Sequence, residues 1–134
     1  MITGGYSIEK SKGLSLWISG FAGNKVELQQ EPSMPVARYH HASTYIEDDI
    51  YVIGGNDINN NTEQKQTTSK SCYKFNLSQN QWTEISPMNH ARSSMGIASY
   101  QNNYIYCFGG SFGDEQQTLD TIDKYDALLD IWTI

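Results

Sequence analysis

Three short apolar runs in this chain of 134 residues each end in a pair of glycines. The runs are "ITGG", "IYVIGG" and "YIYCFGG", and they end at Gly4-Gly5, Gly54-Gly55 and Gly109-Gly110. The pairs are 50 and then 55 residues apart. A recurrence at this distance is typical of a repeat protein, in which one unit cannot bury its apolar face alone. The chain is therefore predicted to fold as stacked copies of one unit.

Other residues recur at similar distances, from 50 to 54 residues, and in the same order. These pairs are Met34 and Met88, Arg38 and Arg92, Tyr73 and Tyr125, and Trp82 and Trp132. Each Arg follows its Met by four residues. The stretch "MPVARYHHASTYIEDDIYVIGG" aligns with "MNHARSSMGIASYQNNYIYCFGG" with one inserted residue, and "SCYKFNLSQNQWTEI" aligns with "IDKYDALLDIWTI" with two deleted. The sequence thus contains two complete units.

Each complete unit has four short runs rich in Tyr, Ile, Val and Thr, bounded by turn residues, which predicts four β-strands. The predicted strands cover 39–46, 49–54, 70–76 and 81–85, and then 93–100, 103–109, 121–126 and 131–134. The polar links "EDD", "QNN" and "NLSQN" predict turns. No segment has a sustained helical period, so the predicted fold class is all-β, with a polar surface loop over 56–70.

Four antiparallel strands in a unit of this length form a blade of a β-propeller, and the period is typical of kelch repeats. The Met-x-x-x-Arg lead-in, the strand closed by Gly-Gly, the later Tyr and the Trp resemble the kelch family over nearly the whole chain. The resemblance implies one propeller domain with complete blades at 35–86 and 88–134. The segment 1–34 resembles a truncated, degenerate blade, with Trp17 where Tyr is expected and Val26 where Trp is expected.

Two blades and part of a third cannot close a ring, because propellers use four to eight blades. An open arc would leave an apolar blade face exposed at each end. We therefore expect the remaining blades to come from the same longer chain or from another chain.

The recurring glycine and aromatic residues are predicted to be structural. Glycine allows the sharp turn with positive φ that is needed where strands crowd near the propeller axis. The Tyr and Trp side chains are predicted to pack between neighbouring blades. This structural set comprises Gly4, Gly5, Gly54, Gly55, Gly109, Gly110, Tyr73, Tyr125, Trp82 and Trp132.

The charge of the chain limits its partners. The formal net charge is −6 and no Lys/Arg cluster occurs, which argues against binding to nucleic acid or to an anionic membrane surface. No apolar run approaches the length of a membrane span, and no signal peptide is evident. Cys72 and Cys107 lie in strand-like runs and are predicted to be buried as small apolar residues. Together these observations predict a cytoplasmic location.

Catalytic chemistry is not predicted. His40 and His41 are adjacent on a predicted strand and so point to opposite sides, which makes them a poor pair of metal ligands. The acidic run 47–49 lies in a predicted turn, and no pattern fixes two carboxylates in one pocket. We therefore expect no metal, no cofactor and no enzymatic activity, although a few relatives with kelch-like propellers are enzymes.

A binding surface is the function that the resemblance implies. Kelch propellers typically hold a partner protein or peptide on one face, and in relatives that capture acidic peptides the lead-in Arg faces the partner. Matched by position, the predicted partner-binding residues are Arg38, Arg92, Tyr6, Asn56, Ser69, Ser111 and Thr121, with Phe112 as an exposed aromatic anchor. A rival interpretation has both Arg side chains bonded to carbonyl groups at a blade junction.

Two roles remain open for such a module. It could recruit a substrate, as in kelch adaptors of cullin-type ubiquitin ligases, or it could be a structural scaffold in a larger cytoskeletal or multisubunit assembly. A BTB domain encoded upstream would favour the first role, and coiled-coil neighbours would favour the second.

Overall fold

A computed structural model describes the backbone of residues 2–3, 15–22, 25–58 and 67–134, and the side chains of 32–58 and 67–134. Within these ranges the chain forms strands and no helix, and therefore no helix of the length and apolarity that a bilayer span requires. The first sheet is antiparallel and contains β1 (Ile2–Thr3), β2 (Ser15–Ala22) and β3 (Lys25–Glu31). The predicted structural residues Gly4 and Gly5 lie outside the described residues.

Two four-stranded antiparallel sheets follow, as the sequence predicts. The first group of strands is β4 (Arg38–Tyr39), β5 (Ala42–Ile46), β6 (Asp49–Ile53), β7 (Asn56–Asp57), β8 (Thr67–Thr68), β9 (Cys72–Asn76) and β10 (Gln81–Ile85). The second group is β11 (Gly96–Tyr100), β12 (Tyr104–Phe108), β13 (Ser111–Phe112), β14 (Gln117–Thr118), β15 (Ile122–Asp126) and β16 (Ile131–Thr133). Sheet A has the order β5-β6-β9-β10, and sheet B has the order β11-β12-β15-β16. Small sheets of β4-β7-β8 and β13-β14 lie beyond the glycine pairs.

The two glycine pairs occupy equivalent places, directly after β6 and β12. Gly54 and Gly55 have φ of 56° and 99°, and Gly109 and Gly110 have φ of 56° and 92°. A Cβ on Gly54 would lie 2.5 Å from the carbonyl oxygen of Arg92 in the next unit. The positive φ at all four residues, and the lack of space for a Cβ at Gly54, favour glycine at these two turns.

The strand registers correct one predicted equivalence. Trp82 pairs with Phe75, whereas Trp132 pairs with Tyr125, so the counterpart of Tyr125 is Phe75 and not Tyr73. The counterpart of Tyr73 is Asp123. Each is the second residue of its strand and pairs with the second strand of its unit, opposite Val52 and Cys107 respectively. The predicted two-residue deletion is wrong because the third and fourth strands have equal spacing in both units. The units differ in length at two places, by one more residue in the β11-β12 turn and by five fewer in the β13-β14 loop than in the β7-β8 loop.

The core lies between sheet A and sheet B. Alternate residues on one face of sheet A meet alternate residues on the facing side of sheet B, and β5 lies against β11. The buried residues of this core are Ile46, Tyr51, Ile53, Cys72, Ile85, Met88, Ile105, Cys107, Tyr125 and Trp132. Packing between neighbouring sheets of this kind is how a propeller buries apolar surface.

The two recurring Trp side chains make the same hydrogen bond. Trp82 Nε1 donates to the carbonyl oxygen of Pro32, and Trp132 Nε1 donates to that of Ser86, each at 2.8 Å. Both acceptors lie in the segment that precedes the sheet containing that Trp. Trp132 is buried, but Trp82 is only half-buried in the described structure. Each Trp thus attaches the fourth strand to the segment that leads into its own unit.

Asp130 also binds the connecting segment at Ser86, through the backbone N–H of that residue. Its Oδ1 accepts hydrogen bonds from the backbone N–H of Ser86 at 2.9 Å and from the hydroxyl of Tyr125 at 2.8 Å. Burial would raise the pKa of Asp130, but these hydrogen bonds outweigh it and the pKa is lowered. Burial together with the same hydrogen bond raises the pKa of Tyr125. The carboxylate is therefore the stable form in this contact.

Trp132→Ala is expected to lower the free energy of unfolding by about 3–5 kcal/mol, because it removes a large buried aromatic side chain. Trp132→Phe keeps a ring against Tyr125 but loses the bond to Ser86, which should cost about 1 kcal/mol. Trp82→Ala should cost less than Trp132→Ala, since Trp82 is half-buried. Urea denaturation followed by circular dichroism measures all three. A loss below about 1 kcal/mol for Trp132→Ala would contradict the core assignment.

Cys72 and Cys107 are both fully buried in the core between the sheets, which confirms their predicted role as small apolar residues. Burial raises the pKa of each thiol from an ordinary 9.0 to about 12. Because the folded state holds both thiols neutral, their contribution to stability is fully present below pH 9. It is lost as the pH rises from 9 towards 12, where the unfolded chain ionises first.

A thiol reagent at pH 8 should therefore label neither cysteine until the chain unfolds. The reaction rate should rise with urea in parallel with the unfolding transition. Ser43→Cys places a thiol on an exposed residue of β5 and serves as the control, which should react at once. Rapid labelling of the unsubstituted chain in the absence of urea would show that the sheets separate readily.

Candidate functional site

Arg38 lies at the junction of three segments and is fully buried. Its Nη1 donates to the carbonyl oxygens of Gly54 at 2.9 Å and Ser71 at 3.0 Å, and its Nη2 donates to Ser71 Oγ at 2.7 Å. The donors of one guanidinium thus join the lead-in to the glycine turn and to the start of β9. A planar guanidinium suits this role because it carries several N–H donors that point in fixed directions.

Arg92 repeats the arrangement one unit later and is equally buried. Its Nη1 donates to the carbonyl oxygens of Gly109 at 2.8 Å and Thr121 at 3.1 Å, and its Nη2 donates to Thr121 Oγ1 at 3.0 Å. Ser71 and Thr121 are 50 residues apart and supply the same hydroxyl. The Arg-hydroxyl contact is therefore a property of the repeat and not of one unit.

The carboxylate that neutralises each Arg comes from a different place in the two units. Arg38 pairs with Asp57 of β7 at 3.0 Å, and the Tyr73 ring lies 5.1 Å from its guanidinium carbon. Arg92 pairs at 3.0 Å with Asp123 of β15, which is fully buried. Asp123 stands at the place of Tyr73, and the place of Asp57 is taken by Phe112. The first unit thus has its carboxylate after the glycine pair and its aromatic residue in the third strand, and the second unit has the reverse arrangement.

These contacts correct the predicted exposure of Arg38 and Arg92. Both side chains are enclosed, bonded to backbone carbonyl groups and paired with carboxylates, so neither presents its charge to a partner. The physical reason is that the glycine turn leaves inward-facing carbonyl groups that need a donor. The rival interpretation, in which the two Arg side chains join blade segments, is the one that the geometry shows.

The other predicted partner-binding residues are distributed unevenly. Asn56 is buried, Ser69 and Ser111 are half-buried, and Thr121 is half-buried and bonded to Arg92. Ser69 bonds to Ser71 Oγ at 2.9 Å, so it supports the Arg38 contact from behind. Tyr6 lies outside the described residues. Of the predicted set within the described residues, Phe112 alone is exposed.

Three contributing residues, Asp57, Ser71 and Asp123, are absent from the predicted set. The predicted equivalence of Tyr73 and Tyr125 is wrong, and it places Ser69 where the repeat has Ser71. A signal for it exists, because counting back from the two Trp residues at a constant spacing of 50 matches Ser71 with Thr121. No such signal exists for Asp57 and Asp123, since their positions in the unit differ.

The loop end of sheet B carries the exposed aromatic group. Phe112 belongs to the β13-β14 hairpin, and 46% of it is exposed. The backbone N–H of Gly113 donates to Thr68 Oγ1 at 3.1 Å, so the hairpin is tied to β8 of the preceding unit. Asp114 and Glu115 in the hairpin are exposed. Within the described part of the chain, no group of three or more His, Cys, Asp or Glu could hold a metal ion.

Arg92→Ala is expected to destabilise the fold by about 3–5 kcal/mol, because it removes the 3.0 Å partner of the fully buried Asp123 and leaves it only the longer contacts of 3.4 Å with His90. Arg38→Ala should cost less, since Asp57 is 21% exposed and water can solvate it. The double variant Arg92→Ala/Asp123→Ala should recover part of the loss. Urea denaturation provides the comparison. Equal losses for Arg38→Ala and Arg92→Ala would contradict this account of the two pairs.

Comparison with known proteins places these residues in a wider set. The family model described as Kelch motif matches residues 37–89 and 93–134. Kelch-like protein 38 of Mus musculus is 30% identical over 112 residues, which cover 84% of this chain and 18% of that protein. Beta-scruin of Limulus polyphemus is 32% identical over 99 residues, covering 74% and 11%. Kelch-like protein 23 of Homo sapiens is 35% identical over 102 residues, covering 76% and 16%.

A solved structure of the protein YjhT resembles the chain in fold. The TM-score is 0.73 at 13% sequence identity, and the match covers 92% of this chain and 44% of that one. At this level of identity the likeness concerns the fold alone. The chain spans less than a fifth of the curated relatives that it matches, and less than half of YjhT.

Proposed function

This chain belongs to the kelch-repeat family, and from that premise we propose that it is part of a propeller that binds a partner protein or peptide. The proposed contact surface is the loop end of the blades, where the glycine pairs lead into the small sheets β4-β7-β8 and β13-β14. Kelch-like relatives support a binding role in general. The contact surface and the residues named below are our proposal.

Phe112 is the observation that carries this proposal. At the same place in the preceding unit, Asp57 neutralises the buried Arg38. In sheet B that task belongs to Asp123, so the fold does not need a particular side chain at Phe112. The position nevertheless holds a large aromatic residue that is about half exposed. Aromatic side chains at the centre of a contact supply much of the binding energy in protein interfaces.

The electrostatics of the loop end differ from those first predicted. With both Arg charges paired and enclosed, neither Arg supplies a local positive charge to select an acidic peptide. The net charge of −6 continues to support a protein partner over nucleic acid or an anionic membrane. A non-catalytic role and a cytoplasmic location complete the proposal.

Adaptor and scaffold roles both remain within this proposal. The chain is about as similar to relatives named kelch-like proteins as to one named beta-scruin, at 30–35% against 32% identity. Similarity therefore supports a binding propeller without favouring either role. Exchange of labelled partner distinguishes them, because a recruitment module must release its ligand, whereas a scaffold contact persists.

Phe112→Ala should weaken partner binding by about 2 kcal/mol, or roughly 30-fold in Kd, as expected for a central aromatic contact. The partner is first isolated by affinity capture with the unsubstituted protein, and its affinity is then measured by calorimetry. Tyr45→Ala is the matched control, because Tyr45 is 72% exposed but lies at the opposite end of β5. The melting temperature should not change in either variant. Equal weakening by both substitutions would contradict the proposed surface.

A further inference from the structure

The outermost strand of sheet B and the turn that leads into it carry exposed apolar side chains. Strand β16 is the last strand of sheet B, as β10 is of sheet A, so each has one side without a strand partner within the described residues. The exposed apolar residues on sheet B are Leu128 at 84%, Leu129 at 66%, Ile131 at 50% and Ile134 at 78%. We call residues 128–134 the outer edge of sheet B. An unpaired strand edge is a surface to which another strand can pair.

The equivalent positions of sheet A are polar and exposed. By strand register, the places of Leu128, Leu129, Ile131 and Ile134 are taken there by Ser78, Gln79, Gln81 and Glu84. All four are exposed although sheet B packs against sheet A, so the next unit does not cover this part of a sheet. Packing between successive units therefore does not explain why the outer edge of sheet B is apolar.

The conformation of the β15-β16 turn does not require leucine either. Asp126 Oδ1 accepts hydrogen bonds from the backbone N–H of Leu128 at 3.0 Å and of Leu129 at 3.2 Å. In sheet A, Asn76 Oδ1 accepts from the backbone N–H of Gln79 at 2.8 Å in the same way. The turn thus forms equally with polar residues at its tip, and the two leucines have no contact to make within the sheet that needs them.

The two outermost strands also differ in their protection against pairing. A charged side chain on an edge strand disfavours the addition of another strand, because pairing removes the charge from water. Strand β10 contains the exposed Glu84, whereas β16 reads Ile-Trp-Thr and is followed by Ile134. These residue types have high β propensity and carry no charge. The hydrogen bond from Trp132 to Ser86 holds β16 in place, so the outer edge of sheet B is a fixed and uncharged strand edge.

The carboxylates at the turn determine which occupant fits. Asp126 and Asp130 flank the two leucines, and within the described residues neither forms an ion pair with Lys or Arg. The neighbouring cation, Lys124, lies 4.0 Å from the centre of the Tyr104 ring. A second copy of this chain would bring the same two carboxylates and a net charge of −6 to the edge, which like-charge repulsion opposes. The complementary occupant therefore carries Lys or Arg beside apolar residues.

We propose that the outer edge of sheet B binds an extended apolar segment of a partner protein, which adds as a further strand beside β16. In strand addition, main-chain hydrogen bonds supply affinity and alternate side chains supply specificity. The leucines and Ile131 would pack against apolar residues of the segment, and its Lys or Arg would pair with Asp126 and Asp130. This surface is separate from the loop end, because Phe112 belongs to the β13-β14 hairpin and not to sheet B.

The test uses a short synthetic peptide of alternating Ile and Thr with Lys at each end, added to the isotope-labelled chain. Amide exchange on β16 should slow by at least about tenfold at saturating peptide, because outward N–H groups gain an acceptor. The variant Leu128→Ser/Leu129→Gln/Ile131→Gln carries the residues of sheet A and should weaken the peptide by at least about tenfold in Kd. Tyr45→Ser is the control, since it removes an exposed apolar side chain from β5 and should leave the affinity unchanged.

Two altered peptides test the chemistry of the contact. With Glu in place of Lys, the peptide should bind at least about fivefold more weakly, and the difference should shrink at high salt. With N-methyl groups on alternate residues, the peptide loses its backbone donors along one side and should not slow exchange on β16.

Four results would overturn the proposal. The first is an absence of slowed exchange on β16, or slowing confined to another strand. The second is unchanged peptide affinity in the triple variant, with its fold verified by circular dichroism. The third is equal affinity for the Lys, Glu and N-methylated peptides. The fourth is a stable dimer of the unsubstituted chain that the triple variant dissociates in sedimentation, since a second copy would then occupy the edge.

Discussion

The buried guanidinium of each lead-in is the interaction on which the remaining geometry depends. The turn at Gly54 directs its carbonyl group inwards to Arg38, and the Ser71 carbonyl beside it accepts from both the Gly54 N–H and Arg38. An unpaired carbonyl in such a place is costly, so a donor has to be supplied from elsewhere in the chain. Arg38 supplies it and thereby fixes where the lead-in, the second strand and the third strand meet. Its charge then requires a carboxylate nearby.

Much of the fold could be predicted from the sequence because the signals are local and repeated. Turn residues, β-branched runs and glycine pairs at a constant distance give the strands, their order and the positions of positive φ. The predicted equivalence of Tyr73 and Tyr125 is wrong because the spacing from the Trp, and not the identity of the residue, is kept between the two units. Phe75 and Tyr125 perform the same packing with different side chains, and spacing from the Trp residues would have matched them.

The site was less predictable, for a different physical reason. The burial of Arg38 and Arg92 depends on carboxylates that lie outside the repeated motif and in different strands of the two units. No single-unit pattern contains Asp57 and Asp123 together, so the pairing appears only in three dimensions. The exposure of Phe112 was predictable from its loop position. The sequence does not show that Phe112 is not needed to neutralise Arg92, because that depends on the position of Asp123 in the fold.

The hydrogen bond from each Trp to the segment before its own sheet has a consequence for how such chains lengthen. Donor and acceptor lie about fifty residues apart, at Pro32 and Trp82 and again at Ser86 and Trp132. A duplicated gene segment that starts at the connecting segment and ends after the Trp copies both members of the pair. One that starts at the first strand separates them. The segment that contains both donor and acceptor is therefore offset from the sheet, and it begins in the connection between blades.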